Sequence, residues 1–221
     1  NLGSINLVPS SFDDILIGEI DTNLAVKWAK LITAFGASDS KHTTQTKNMD
    51  YINGSLYLSG MMKGGFAPYG EEEARIASKS TPLNGFVIKC DASNGEWLGG
   101  VSADEQGIGG YFGVAKGKEN NLYAYGYSWA TPNKGICLTT IDESSWEKTE
   151  KIALITETGM GTAWSCLADG TNFYSFSRGN KAVNFYNSEF TLPAPTGWGM
   201  FISSWKLDDI CLLYTSDAAD D

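Results

Sequence analysis

Two short elements recur along this chain, and a chain that repeats itself folds as copies of one unit stacked on their neighbours. The first element is an apolar strand that ends on an aspartate, followed by a turn and a tryptophan. It runs I-L-I-G-E-I-D-T-N-L-A-V-K-W from Ile15 to Trp28, F-V-I-K-C-D-A-S-N-G-E-W from Phe86 to Trp97, and I-C-L-T-T-I-D-E-S-S-W from Ile136 to Trp146. A fourth start, M-F-I-S-S-W-K-L-D-D, opens at Met200. The second element follows downstream as N-G-S-L-Y-L-S-G from Asn53, N-N-L-Y-A-Y-G from Asn120 and G-T-N-F-Y-S-F-S from Gly170. Its tyrosines, Tyr57, Tyr123 and Tyr174, lie 66 and then 51 residues apart, and the aspartates Asp21, Asp91 and Asp142 lie 70 and then 51 apart. Two markers that drift together describe one repeat with an insertion in its first copy.

The markers have the chemistry of a β-meander. Alternation such as L-Y-A-Y-G-Y sends successive side chains to opposite faces of a strand, which suits a sheet packed between two other sheets. Asp-x-Ser-Asn-Gly and Ile-Asn-Gly predict tight two-residue hairpin turns, because Asn and Gly tolerate positive φ. A Trp-bearing strand and a further apolar segment, such as G-Y-F-G-V-A from Gly110, complete about four strands in about 50 residues, the size of a propeller blade. Composition agrees: 25 glycines and 12% aromatic residues favour short strands and turns, and 19% charged residues leave ample apolar material for a core.

The pattern predicts an all-β fold, a partial β-propeller of about three four-stranded antiparallel blades with pieces of two more, arranged as an open arc. Residues 1–11 are expected to finish a preceding blade, with Leu2-Gly3-Ser4 as a strand end. A blade then covers 12–65, an insertion loop 66–83 with one helical turn around Glu71 to Ile76, a blade 84–131, and a blade with a loop 132–196. Residues 197–210 are expected to be the first strand of the next blade, with Met200 to Trp205 extended.

The last stretch, Cys211 to Asp221, reads C-L-L-Y-T-S-D-A-A-D-D and resembles, in frame, the translation of a transposase adapter used to build sequencing libraries. These residues are expected to be adapter-derived and to pack against little, with the natural protein continuing past Ile210. Without Asp217, Asp220 and Asp221 the formal charge moves from −10 to −7, and without Cys211 three cysteines remain. Cys90, Cys137 and Cys166 sit among apolar neighbours at wide spacing, which predicts buried free thiols rather than a disulfide framework or a zinc site. A fragment of this kind is expected to expose apolar faces and to aggregate when expressed alone.

The repeats resemble a known family, the exported bacterial β-propeller (SBBP-like) repeats, whose units run D-A-F-V-A-K-L-D-x-x-G-x-x-x-W, a Gly-rich stretch, and D-x-x-G-N-x-Y-V-T-G. Asn84 to Trp97, the Gly99-Gly100 pair and Asn120 to Gly126 carry the resemblance, which extends over nearly all of 12–184. It implies a secreted or surface-attached bacterial protein, periplasmic or lipid-anchored at the cell surface, and no enzyme activity. Asp91 to Trp97 approaches quinoprotein-type blades but places its tryptophan two residues after the glycine rather than four.

The chemistry-bearing residues are few. The acidic balance argues against nucleic acid, which needs clustered Lys and Arg, and no window carries the apolar run of a membrane helix. The single histidine, His42, lies in a polar run and is expected to be solvated, and Glu71-Glu72-Glu73 reads as a charged surface. No motif calls for a cofactor or a metal. Phe66, Tyr69, Tyr127 and Trp129 are candidates to stack on a sugar or a peptide, since an aromatic face combines apolar area with a polar tip. The expected function is a non-catalytic binding or scaffold module with a glycan or protein partner. The alternative is a fragment of a propeller hydrolase or lyase acting on glycans, with part of its site missing.

Overall fold

The computed structural model describes residues 7–8, 14–36, 45–78, 83–103, 108–128, 135–153, 155–157, 161–169, 171–180, 182–185, 191–207 and 211–217. Among them the chain is all β, without a helix, and every strand pairing is antiparallel. The first sheet holds β1 (Ile15–Ile20), β2 (Val26–Phe35), β5 (Gly65–Pro68) and β6 (Ile76–Ala77). The second holds β3 (Gln45–Ile52), β4 (Ser55–Met62), β7 (Asn84–Asp91) and β8 (Trp97–Ser102). The third runs in chain order through β9 (Ile108–Lys116), β10 (Asn121–Ser128), β11 (Gly135–Asp142) and β12 (Lys148–Ala153). The fourth holds β14 (Gly161–Ala168), β15 (Asn172–Gly179), β18 (Gly199–Lys206) and β19 (Cys211–Asp217). A small sheet of β13 (Ile155–Glu157), β16 (Val183–Phe185) and β17 (Thr191–Leu192) lies beside the third and fourth.

The repeat is therefore assembled in a different phase from the one its sequence suggests. The tyrosine strand of one copy pairs with the aspartate strand that follows it: β4 with β7, β10 with β11, and β15 with β18. The sheets thus straddle the divisions drawn at 83/84 and 131/132, and Met200 to Trp205 lies in the third strand of its sheet rather than the first. The 66–83 segment is also more than a loop. Phe66 to Pro68 and Ile76–Ala77 extend the first sheet beyond β2, and turns and bends stand where a helical turn was expected around Glu71. Pro68 has no N–H to donate, and it sits at the end of a short strand, where that loss is small. Leu2-Gly3-Ser4 lies outside the described residues.

The aspartates close their hairpins in one way. Asp21, Asp91 and Asp142 each turn a carboxylate oxygen back onto the N–H two residues ahead, in Asn23, Ser93 and Ser144. Ser93 and Ser144 add their hydroxyls, the largest reason the Asp91 and Asp142 carboxyls lie below the usual range. These Asx turns are longer than the expected two-residue type: the backbone carbonyl of Asp91 accepts from the N–H of Gly95, and that of Asp142 from the N–H of Trp146. The two-residue turn does occur at Asn53-Gly54, both at positive φ.

The tryptophans of the three markers do not occupy one position. Trp28 pairs opposite Glu19, Trp97 opposite Cys90, and Trp146 sits in the turn where Gly95 stands one repeat earlier, with φ 61°. A left-handed Trp is strained by about 1–2 kcal/mol. Its indole offsets this by covering Gly99 of the second sheet, where a Cβ would collide with the ring.

Three apolar layers fill the spaces between successive sheets. Ile15, Ile17, Ile32 and Ala34 meet Leu58, Phe86, Ile88 and Cys90; Tyr57, Val87 and Val101 meet Tyr111, Val114, Leu122 and Ile141. Tyr123, Tyr125, Ile136 and Leu138 meet Phe173, Phe201 and Trp205, with Phe185 of the small sheet wedged against Phe201 and Trp205. The second, third and fourth sheets draw together near their first strands: β9 lies against β3, β4 and β7 on one side and β14 on the other.

The β19 segment was expected to pack against little, yet it pairs along β18 from Phe201↔Asp217 to Lys206↔Cys211. Pairing to a sheet edge uses backbone groups, so any extended segment that follows a turn can supply it. Phe86, fully buried and edge-on to Phe66 with ring centres 5.1 Å apart, is one of the two largest fully buried side chains between the first two sheets. Phe86→Ala is expected to cost about 3–5 kcal/mol in urea unfolding, and Gly99→Ala about 1–3 kcal/mol through its clash with Trp146.

Candidate functional site

Where the first strands β3, β9 and β14 converge, a cleft of about 550 Å³ opens, lined by Asp50 to Asn53, Val114 to Gly117 and Cys166 to Ala168. Its walls come close because Gly113 has no side chain: a Cβ there would run into the Cys166 sulfur. Asp50 lies at the junction. Its carboxylate accepts the N–H of Val114, on the edge of β9, at 3.0 Å and the Asn48 amide at 3.0 and 3.1 Å. Burial raises the Asp50 carboxyl above its ordinary value, and the bonds from Val114 and Asn48 oppose that rise. The carboxylate thus satisfies an unpaired edge amide and fastens the second sheet to the third.

A second polar cluster ties the same two sheets. Glu143, in the β11–β12 turn, accepts the Tyr57 hydroxyl at 2.6 Å and pairs with the ammonium groups of Lys89 and Lys116. Burial alone would raise the Glu143 carboxyl; the bonds from Lys116, Lys89 and Tyr57 overcome it and lower the group to about 2. The Tyr57 hydroxyl is pushed up, first by burial and then by the neighbouring carboxylate. Lys89 also lies over the Tyr57 ring, 5.6 Å from its centre. Through Lys116 this cluster reaches the cleft rim, and that ammonium is already paired.

Two exposed apolar side chains flank the cleft on opposite outer faces. Tyr51 on β3 is 69% exposed, and Leu167 on β14 is similarly open. Both alternate with inward residues, Asp50 and Ile52 on one strand and Cys166 and Ala168 on the other. The Cys166 thiol is buried and pushed well up, chiefly by desolvation, and the same cause raises Cys90 to about 12. Thiols held protonated in this way are poor nucleophiles.

The aromatic candidates are not brought together. Phe66 is wholly enclosed against Phe86, which leaves no face for a ligand, because the segment around it completes the first sheet instead of looping out. Tyr69 is exposed just past β5, and Tyr127 is half-buried in β10 of the third sheet. Trp129 and His42 lie outside the described residues. Glu71 pairs with Arg75, while Glu72 and Glu73 are exposed. Sequence reasoning passed over Asp50 and Tyr51, although the alternation in K-N-M-D-Y-I before the Asn53-Gly54 turn marks a strand with two dissimilar faces. Among the described residues no group of three His, Cys, Asp or Glu side chains is placed to hold a metal, and no helix is long and apolar enough to cross a membrane. No protein-family model matches the chain, and no curated protein matches it.

Two outcomes follow from the geometry. The folded Glu143 carboxyl lies below its ordinary value of 4.5, so its contribution is complete above that pH and fades as pH falls towards 2. Urea unfolding from pH 5 down to pH 2 should show a loss of stability that Glu143→Gln flattens, the variant being less stable at neutral pH because Lys89 and Lys116 lose their counter-charge. Cys90, Cys137 and Cys166 should resist a chromogenic disulfide reagent in the folded protein and react once it is denatured.

Proposed function

We propose that this chain is part of a β-propeller that serves as a non-catalytic binding or scaffold module of an exported bacterial protein, with a glycan or a protein segment as its ligand. The propeller reading rests on three features: four-stranded sheets repeated along the chain, apolar layers between consecutive sheets, and the meeting of the first strands of the second, third and fourth sheets. Export rests on the resemblance of the repeats to exported bacterial propeller units.

One observation carries the binding role. Asp50, in the cleft, and Glu143, joined to its rim through Lys116, are engaged in fastening sheets, while Tyr51, which borders the cleft from the other face of β3, stands exposed. A rim that keeps its acids occupied and presents an aromatic face suits retention of a ligand by stacking, rather than bond cleavage by a free acid and base. A carboxylate that holds two sheets is also a poor general base, because moving a proton to it would weaken the sheet contact.

Calorimetric titration with short cellulose, chitin and xylan oligosaccharides and with an extended polar peptide tests the reading. Saturable heat is expected with at least one of them, weakened about tenfold in Tyr51→Ala, a loss typical of one stacking contact. Absence of heat with every ligand, or release of new reducing ends from the oligosaccharides, would overturn it. Recovery of the whole gene tests export: an ordinary cytoplasmic N-terminal segment, with neither signal peptide nor lipoprotein cysteine, would count against it.

A further inference from the structure

Three Asn-Gly pairs occur in this chain, at Asn53-Gly54, Asn84-Gly85 and Asn94-Gly95, and an asparagine followed by glycine readily loses its side-chain amide. The peptide nitrogen of the following residue attacks the asparagine Cγ, and glycine has no side chain to obstruct that approach. Three conditions favour the reaction: an asparagine side chain that can move, a following N–H not committed to a hydrogen bond, and a turn that can open while the ring closes. The fold supplies all three at one pair and denies them at the other two.

Asn84 and Gly85 are buried at the start of β7. The Asn84 amide donates to the Ala103 carbonyl at 2.6 Å, and its side-chain oxygen accepts the Ser78 hydroxyl. Gly85 lies under the Tyr111 ring, where even a Cβ would collide. Asn94 and Gly95 are held differently, inside the Asp91 turn. Asn94 Oδ1 accepts the Glu96 N–H at 2.8 Å, and the Gly95 N–H donates to the Asp91 carbonyl at 2.8 Å. The Trp28 indole of the first sheet covers Gly95. At that pair the attacking nitrogen would have to leave its hydrogen bond and the turn would have to leave its cover.

Asn53 and Gly54 form the exposed tip between β3 and β4, at φ 50° and 80°. Nothing lies within 4 Å of the place a Gly54 Cβ would take. Among the described residues no hydrogen bond engages the Asn53 side chain or the Gly54 N–H; the bond from the Ala92 N–H, at 3.0 Å, ends on the Gly54 carbonyl. We propose that Asn53 is a site of spontaneous deamidation. As the tip opens, the Gly54 N–H gives its proton to hydroxide and the nitrogen bonds to Asn53 Cγ. The Cγ–Nδ2 bond then breaks, releasing ammonia and leaving a succinimide ring. Water opens the ring in one of two ways. Cleavage between the Gly54 nitrogen and Cγ leaves an aspartyl residue, and cleavage between that nitrogen and the main-chain carbonyl carbon leaves an isoaspartyl one. Either product adds a carboxylate to the cleft wall, which Asn53 shares with Asp50 and Lys116. The isoaspartyl form also inserts one more carbon into the backbone of the two-residue turn that pairs Ile52 with Ser55.

Trypsin places the three pairs on separate peptides, 48–63, 80–89 and 90–116. The whole chain is held at mildly alkaline pH in heavy-oxygen water, both folded and in guanidinium chloride, until all three pairs have reacted in the denatured sample. In the folded sample, of these peptides only 48–63 should exchange an amide for a carboxyl carrying one solvent oxygen, with fragment ions placing the change on Asn53 rather than Asn48. The intact folded protein should drift to later elution in anion exchange. Asn53→Asp, a residue that tolerates positive φ, should abolish that drift. An Asn53 that stays intact in the folded chain would overturn the proposal, the turn then holding its backbone against ring closure. So would reaction at Asn84 or Asn94 as fast as at Asn53, or a drift that survives in Asn53→Asp.

Discussion

A four-stranded sheet with apolar residues on both faces has to be covered twice, and the rest of this structure answers that requirement. Neither face of the second or third sheet meets water over its centre: Phe86 and Ile88 go one way and Val87 the other, Ile141 one way and Leu138 the other. Apolar burial is worth about 25 cal/mol per Å². Stability therefore comes from the spaces between sheets, and no single sheet could hold its own shape in water. The second, third and fourth sheets follow one another along the chain, whereas the chain returns from β4 of the second sheet to β5 and β6 of the first before it enters β7.

The polar groups have been placed where the apolar layers leave gaps. Asp50 takes the edge amide of Val114, and Glu143 draws Tyr57, Lys89 and Lys116 into one cluster across the same pair of sheets. Edge strands with unsatisfied backbone groups invite pairing by foreign chains, and a carboxylate laid along the edge of β9 answers one of those groups. The Asx turns do comparable work at the outer hairpins. Asp169, which belongs to no marker, uses the same device on the N–H groups of Thr171 and Asn172.

Much of this was legible in the residues. The repeat, the antiparallel meander, the Asn53-Gly54 turn and the burial of Cys90, Cys137 and Cys166 all follow from local chemistry: alternation, turn propensity and apolar neighbours. The phase of the repeat was not. A strand pairs equally well with the hairpin partner before it or after it as far as its own residues show, and β4 with β7 was settled by which sheet could cover Phe86. The tryptophans misled for the same reason: similar letters six or four residues after an aspartate fill different spaces, Trp97 on a strand and Trp146 in a turn.

The candidate site shows the same division. Sequence alone determined that this chain is built from repeated antiparallel strands closed by aspartate turns, because those features depend on residues adjacent along the backbone. It singled out Phe66 for its aromatic ring, but only the packed sheets decide that Phe66 is core and that Tyr51 stands open beside Asp50. The reason is physical: whether a side chain is a contact within the core or a surface for a ligand depends on what the neighbouring sheet places over it. The residues that supply that cover lie far along the chain, 64 positions away for Asp50 and Val114 and 86 for Tyr57 and Glu143.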